Sequence, residues 1–550
     1  MSSEGNPAVM KLSQRRAFSP RSAALGAAVL LLSACSGGTQ NTANSSGDAG
    51  KPQYGGTLKF YDPVSYKAWQ ITNTLWSNSN VTTNLADRLT WQNPKTGKIE
   101  PWLAKSWTIS PDHLTYTFTI RSGVTFSDGS KLDAEVVKRN LDQHAFGDKK
   151  LGVAPDEFFA NYAGTKVVDP RTVQVRLSKP NAGFLQVLSI YRTGILAESY
   201  LKKNWNDKGK LTSLIGSGPF VVAGGNGTTN VVLKRRDDYN WAPKSFKHQG
   251  KAYLSEIRYT TVPEQSTAVG ALQSQQADVV RNIAPDDEET VKSSGGQVEA
   301  FPAQGESNAL HISLAANAPT RDIQVRRALQ AATDREEINK IALSPSYGVA
   351  KSILVHGTPK RPDGSAYLKY DPAKAKRLLE AAGWKTGPDG IRTKKGERLS
   401  FTLYVTPYYQ VSQAVVEVLQ SQWKKAGIEV KLKSPSMSQY EAEIGKNTVF
   451  TQGQLSRAEP DVLRSEWHSE LADSTYTKLP ELNTLLEAQV AEFDPAKRTA
   501  DIKAVQDYVL KNALAIPLYD ETQVFGLRPN VQGFQTEAVA RSQFYNTWLS

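Results

Sequence analysis

The chain has 550 residues, with 66 Lys and Arg against 54 Asp and Glu, one cysteine and 39% hydrophobic content. That length exceeds what one hydrophobic core serves, so two or three lobes are expected, and a lone cysteine excludes an internal disulfide framework. The net charge of +12 is diffuse; no basic cluster alternates with aromatics, which argues against a nucleic-acid groove and leaves solubility or proximity to anionic headgroups as its use.

In chain order, Lys11, Arg15, Arg16 and Arg21 precede the apolar stretch Ala23 to Leu32 and the small pair Ser33-Ala34, the layout of a secretory signal peptide. The apolar run covers about 15 Å of helix, whereas a membrane span needs about 20 residues. Leu32-Ser33-Ala34-Cys35 resembles the lipobox of bacterial lipoproteins. The resemblance implies cleavage before Cys35, diacylation of its sulfur and anchoring to the outer face of the cell membrane. Loss of residues 1–34 removes Glu4 with the four basic residues, lowering the net charge by three. Arg15-Arg16-Ala17-Phe18 fits either a twin-arginine export signal or an ordinary basic leader. Residues 35–52 read as the lipidated N-terminus and a Gly/Ser/Thr/Asn-rich flexible tether.

Order is expected from Tyr54 to Phe60, a first strand. Leu114, Tyr116, Phe118 and Ile120 alternate with Thr115, Thr117, Thr119 and Arg121, predicting a half-buried strand. Ser127-Asp128-Gly129-Ser130 turns the chain into a helix from Ala134 to Asp142, and Val173, Val175 and Leu177 predict a strand that Lys179-Pro180 ends. Gly216-Ser217-Gly218-Pro219 leads into strands near 221–222 and 231–234. One helix is predicted from Val325 through about Lys340, and Asp371-Pro372 caps another that Gly383 closes. Further helices are expected at 411–426, 480–492 and 496–512, with strands near 400–405 and 428–432. Interspersed strands and helices indicate an α/β fold.

Signatures of catalysis are missing from the sequence. The six histidines form no His-x-x-x-His pair, no Gly-x-Ser-x-Gly elbow occurs, and the glycine clusters at 216–218 and 224–227 lack a phosphate loop's Lys-Ser/Thr. Glu459 and Asp461 offer carboxylates whose separation sequence does not fix. Pro285-Asp286-Asp287-Glu288-Glu289 reads as a solvated helix start. Dispersed Trp and Tyr residues are the abundant resource, suited to a core or to an aromatic cleft.

Gly55-Gly56-Thr57-Leu58, Pro101 to Trp107 with Tyr116 to Arg121 and Phe126 to Gly129, Gly216 to Phe220, Leu233 to Tyr239, Asp322 to Arg335, Asp371 to Trp384 and Ile516 to Tyr519 occur in an order covering nearly the whole mature chain. Together they resemble the extracytoplasmic solute-binding proteins of ABC importers, family 5, the peptide and nickel class. The resemblance implies a two-lobed periplasmic-binding-protein fold, type II-like and class C, with a subdomain inserted in lobe one. The expected boundaries are 53–78, 186–262 and 515–550 for lobe I, 79–185 for the insertion and 263–514 for lobe II.

The resemblance further implies a binding protein that captures an oligopeptide or similar organic solute by lobe closure and delivers it to permease subunits. It implies no enzyme activity, no cofactor and no metal, and a monomer held to the membrane by its lipid with no nucleic-acid partner. An enzyme, or a signalling or folding-helper lipoprotein, on the same scaffold is the competing expectation. Peptide binders of the family carry Asp-Tyr-x-Asp/Glu-Pro, whose first Asp pairs with the peptide's α-amino group. Aligning on Glu459-Pro460 puts Ser456 and Arg457 at the Asp-Tyr positions, and a serine cannot neutralise an ammonium. Arg457 then either receives an anionic or carbonyl group or is a surface arginine. The same resemblance puts Tyr66, Trp69 and Gln70 in the ligand-facing loop after the first strand, with a core role the alternative for Trp69. Arg281 and Asn282 follow the apolar Val279-Val280 at an expected strand end, which the resemblance implies faces the cleft. Together with Gln454, Ser456 and Arg457 these are the ligand-binding candidates.

Overall fold

A computed structural model describes residues 50–73, 76–471 and 474–550; the leader, Cys35 and the tether up to Ala49 lie outside them. The strand Thr57–Asp62 turns Leu58, Phe60 and Asp62 to a buried face. It runs between two parallel partners, Glu256–Thr261 and Val279–Arg281, with Phe60 opposite both Tyr259 and Val279. Asn230–Arg235 and Phe220–Gly224 extend this sheet antiparallel on one side, and Thr522–Leu527 and Gln297–Pro302 extend it on the other, making seven strands.

This sheet moves the expected lobe boundaries. Val279 and Val280 are fully buried, as a strand inside a sheet covered on both faces requires, so the segment from 263 to 302 stays with the first lobe. The chain crosses between Pro302 and Asn308 and returns between Asp520 and Thr522. The two crossings are tied by the Ala303 N–H donating to the Glu521 carbonyl (2.8 Å). Lobe II therefore begins near 303 rather than 263, and the return falls near 521 rather than 515.

The inserted segment builds a four-stranded antiparallel sheet, in spatial order Ala104–Ile109, Thr115–Ile120, Thr172–Leu177 and Tyr162–Asp169. The helix Ala134–Phe146 packs on it, capped by the Asp133 carboxylate accepting from Val136 N–H. Phe118, Val173 and Leu141 share one apolar cluster with Leu58, Phe60 and Tyr259, so insertion and first lobe have a continuous core. Arg88, wholly buried, stacks 4.6 Å from the Trp102 ring centroid and pairs with Glu537 at 2.9 Å.

In the second lobe a sheet runs Gly348–Val349, Ala515–Asp520, Asn308–Ile312 and Phe450–Gly453. The parallel pair Ser400–Tyr404 and Glu429–Lys433 is bridged by the helix Ser412–Lys425, whose Trp423 is buried and donates from Nε1 to Thr333 Oγ1 (3.1 Å). The single helix expected from Val325 is two, Ile323–Ala331 and Arg335–Ala342. The break lies at Asp334, whose carboxylate accepts from Glu336 and Glu337 N–H and starts a new helix. Pro480–Ala491 and Pro495–Lys511 pack as a pair on a separate apolar cluster. No helix among the described residues is long and apolar enough to cross a membrane.

Candidate functional site

Three parts of the chain meet around a cavity of ≈ 330 Å³. From the first lobe come Trp76, which opens the helix Trp76–Thr82, with Tyr191, Arg192 and, near the C-terminus, Arg541. The insertion contributes Glu157 and Phe158 from the one-turn helix Glu157–Phe159. The second lobe supplies Tyr408, Tyr409 and the segment Gln454 to Arg457, with Val462 and Ser465 from the helix Val462–Trp467. Tyr408, Tyr409, Gln454 and Leu455 also wall an adjoining chamber of ≈ 520 Å³ that reaches His311 and Glu466.

The cavity wall is aromatic with guanidinium groups laid on it. Arg541 lies 4.7 Å over Trp76 and 5.7 Å over Tyr191, and donates from Nη1 to the Val539 carbonyl (2.8 Å). Burial lowers its pKa to about 10, so it is a cation at neutral pH. Arg457 lies 5.2 Å over Phe158 and donates from Nη1 to Ser465 Oγ (3.2 Å). Asp461 is 3.4 Å from Arg457 Nη2, but both its oxygens accept from Arg464, at 2.9 and 3.1 Å. Burial works against ionisation of Asp461, yet Arg457 and Arg464 outweigh it and hold its carboxyl below the usual range. Glu459 is paired with Arg498. Both carboxylates left open by the sequence are thus engaged by arginines.

Of the eight ligand-binding candidates, Gln454, Ser456 and Arg457 line the cavity. The other five do not. Tyr66 and Trp69 are buried in the first-lobe core with ring centroids 5.7 Å apart; Trp69 Nε1 donates to the Gly227 carbonyl at 2.8 Å. Gln70 is buried and donates to the Trp205 carbonyl (3.0 Å). Arg281 is held by Asp62, and Asn282 takes a left-handed φ of 58° beside it. Arg281 stands one layer behind the wall, 5.0 Å from the Trp76 ring. In the loop after the first strand Tyr66, Trp69 and Gln70 turn into the core while Val64 and Lys67 stay exposed, an inward turn that sequence alignment to a ligand-facing loop did not anticipate.

Trp76, Phe158, Tyr191, Tyr408, Tyr409 and Arg541 were not singled out from sequence. Each sits in a short or irregular segment where no period distinguishes a cleft aromatic from a core one. The same holds for a buried group at the end of the second chamber, where His311 Nδ1 lies 2.8 Å from Glu466 Oε1 and Nε2 lies 3.5 Å from Glu306 Oε1. Burial disfavours charge on this imidazole, but Glu466 and Glu306 outweigh it and lift its pKa to about 10. Burial, reinforced by Glu466, raises Glu306 to about 7. The three donors lie within 4.8 Å of one another, a set with metal-ligand chemistry, although an imidazolium between two carboxylates occupies the same atoms.

The profile described as "Bacterial extracellular solute-binding proteins, family 5 Middle" matches residues 98–477. Among curated relatives, the glutathione-binding protein GsiB of Salmonella paratyphi A is 28% identical over 455 residues, covering 80% of this chain and 83% of the relative. Among solved structures, NikA from Brucella suis in complex with Fe(III)-EDTA superposes with a TM-score of 0.78 at 25% identity, over 90% of this chain and all (100%) of that one. The oligopeptide-binding protein AppA from Bacillus subtilis, in complex with a nonapeptide, gives 0.74 at 23% identity, over 91% and 100%; at that identity it shows the fold alone. The profile covers more than half of the chain, and the chain belongs to the family 5 extracellular solute-binding proteins of ABC importers.

Proposed function

We propose that this protein captures a small organic solute, an oligopeptide or a molecule of similar size, in the cleft lined by Trp76, Phe158, Tyr408 and Arg457, and hands it to a membrane permease. The observation that carries the reading is that both lobes and the insertion contribute side chains to one aromatic cavity. A solute touching all of them gains its full contacts only when the lobes close on it, which shifts the population toward the closed state. GsiB binds glutathione by its name, NikA holds a metal chelate and AppA a nonapeptide; two of these three ligands are peptides.

Mass spectrometry of solute released from the purified, denatured protein is the test. A stoichiometric small molecule is expected, and adding it back at a hundred times its Kd stabilises the protein by about 2.7 kcal/mol. Consumption of that molecule by the protein would put an enzyme in its place, and a saturable protein partner with no small-molecule response would put a signalling or folding-helper role there.

The anchoring is a separate proposal resting on the sequence. Leu32-Ser33-Ala34-Cys35 supports lipidation of Cys35 and residence on the extracytoplasmic face of the cell membrane. Cys35→Ser is expected to release the protein into the soluble extracytoplasmic fraction, and a variant that still needs detergent for extraction would refute the lipid anchor.

A further inference from the structure

Burying a guanidinium without a partner costs several kcal/mol. Elsewhere the chain meets that cost with carboxylates, as Arg88 with Glu537, Arg281 with Asp62 and Arg498 with Glu459, or with three main-chain carbonyls each, as at Arg326 and Arg335. Two equally buried arginines on the cavity wall are treated differently. Among the described residues, Nε and Nη2 of Arg457 and Nε of Arg541 have no hydrogen-bond partner. Arg541 forms no ion pair among those residues, and the acids around Arg457 are Asp461, taken up by Arg464, Glu459, paired with Arg498, and the exposed Glu157.

The acids near Arg541 do not fill the gap. Glu537 is committed to Arg88. Glu521 accepts from Asn308 Nδ2 (3.2 Å), and burial lifts its pKa to about 7, so at neutral pH it carries only part of a charge. Meanwhile the Trp76 and Phe158 rings, 4.7 and 5.2 Å from the guanidinium carbons, restrict both side chains in advance, so fewer side-chain rotamers are lost when a partner arrives.

The same wall offers little to a cation. Ser456 and Gln454 exchange hydrogen bonds with each other (3.0 and 3.2 Å), and Asp461 and Glu459 are taken by arginines. Glu157, exposed to solvent, is the one acidic side chain among the described residues lining the first cavity, while the adjoining chamber adds Glu441 and Glu466.

We infer that the solute of this cleft is an anion whose carboxylate is received by the open N–H groups of Arg457 and Arg541, with an apolar or planar portion against the aromatic wall, and that a free amino group is not needed. This rests on the solute-binding reading and names the class of solute. The carboxylate would accept two charge-assisted hydrogen bonds where water or nothing now serves, and matching an amide to the same place would leave the guanidinium charge uncompensated.

The experiment uses a thermal-shift and calorimetric panel in four forms: N-acetyl dipeptides with a free carboxylate, their C-terminal amides, the corresponding free-amine amides, and aliphatic and aromatic mono- and dicarboxylates. At least one carboxylate is expected to bind at least tenfold more tightly than its matched amide. Arg457→Gln and Arg541→Gln are each expected to weaken that ligand tenfold or more and to shrink the acid-to-amide ratio, with Arg457→Lys and Arg541→Lys restoring part of it. Because these arginines lack full partners, the apo melting temperature of the Gln variants is expected to hold or rise; a fall with unchanged affinity would make them structural and overturn the inference. Equal binding of acid and amide, or preference for the free-amine amide, would also overturn it while leaving solute binding intact. Absence of any response across the panel, together with absence of copurified solute from a folded protein, would instead defeat the binding role itself.

Discussion

Replacing Arg281 by alanine is expected to destabilise the apo protein by about 3–5 kcal/mol, because breaking a buried ion pair strands the remaining charge. Arg281 Nε and Nη2 donate to the two oxygens of Asp62 at 3.1 and 2.7 Å, and Nη1 donates to Gln523 Oε1 at 3.0 Å. Those three residues stand on Val279–Arg281, Thr57–Asp62 and Thr522–Leu527, three adjacent strands of the large sheet. Asp62 is wholly buried, so without the guanidinium its carboxylate must either stay charged in a dry site or take up a proton. Urea unfolding monitored by tryptophan fluorescence checks the loss. The double variant Asp62→Leu with Arg281→Met is expected to recover most of it, since an apolar pair of similar volume removes both desolvation costs. An unchanged midpoint for Arg281→Ala, accompanied by a selective loss of ligand affinity, would return Arg281 to the cleft where sequence placed it.

Periodicity and capping carried much of the fold into the sequence. The alternation at 114–121 became Thr115–Ile120 with every second side chain buried. Asp371-Pro372 became the cap of Pro372–Ala381, the Asp371 carboxylate accepting from Lys374 N–H at 2.7 Å, and Gly383 ends that region with φ 85°. These are local devices, legible because the same few residues that write the signal also make the structure. The lobe boundaries are not local. Val279-Val280 reads as a short apolar strand in any position, and only pairing with Thr57–Asp62, more than two hundred residues away, assigns it to the first lobe. Cleft residues are harder still. Arg281, Arg457 and Arg541 are all buried arginines beside aromatics. What separates the first from the other two is whether a carboxylate waits across the sheet, and that depends on register between distant strands.

Gly305 shows how the lobe crossing places the cleft wall, and Gly305→Ala is expected to damage binding more than its size suggests. It adopts φ 141°, and a Cβ there would lie 2.2 Å from the Leu455 carbonyl oxygen, 2.7 Å from Arg457 N and 3.0 Å from Ser456 Cα. All three contacts are main-chain or Cα atoms, so no side chain can swing aside. The neighbouring Glu306 N–H donates to that same Leu455 carbonyl at 2.8 Å, and moving the segment breaks it. The strained φ alone costs about 1–3 kcal/mol. Displacement of Gln454 to Arg457 adds a loss in ligand affinity of roughly tenfold or more, the equivalent of about 1.4 kcal/mol. Gly55→Ala separates the two effects: Gly55 has a comparable φ of 123° with nothing within 4 Å of its Cβ position, so that variant carries the strain without touching the cleft. Calorimetric titration of both variants with the copurified solute makes the comparison. Normal affinity in Gly305→Ala, with stability lowered only as far as in Gly55→Ala, would mean that the segment bearing Arg457 is positioned by something other than the crossing segment.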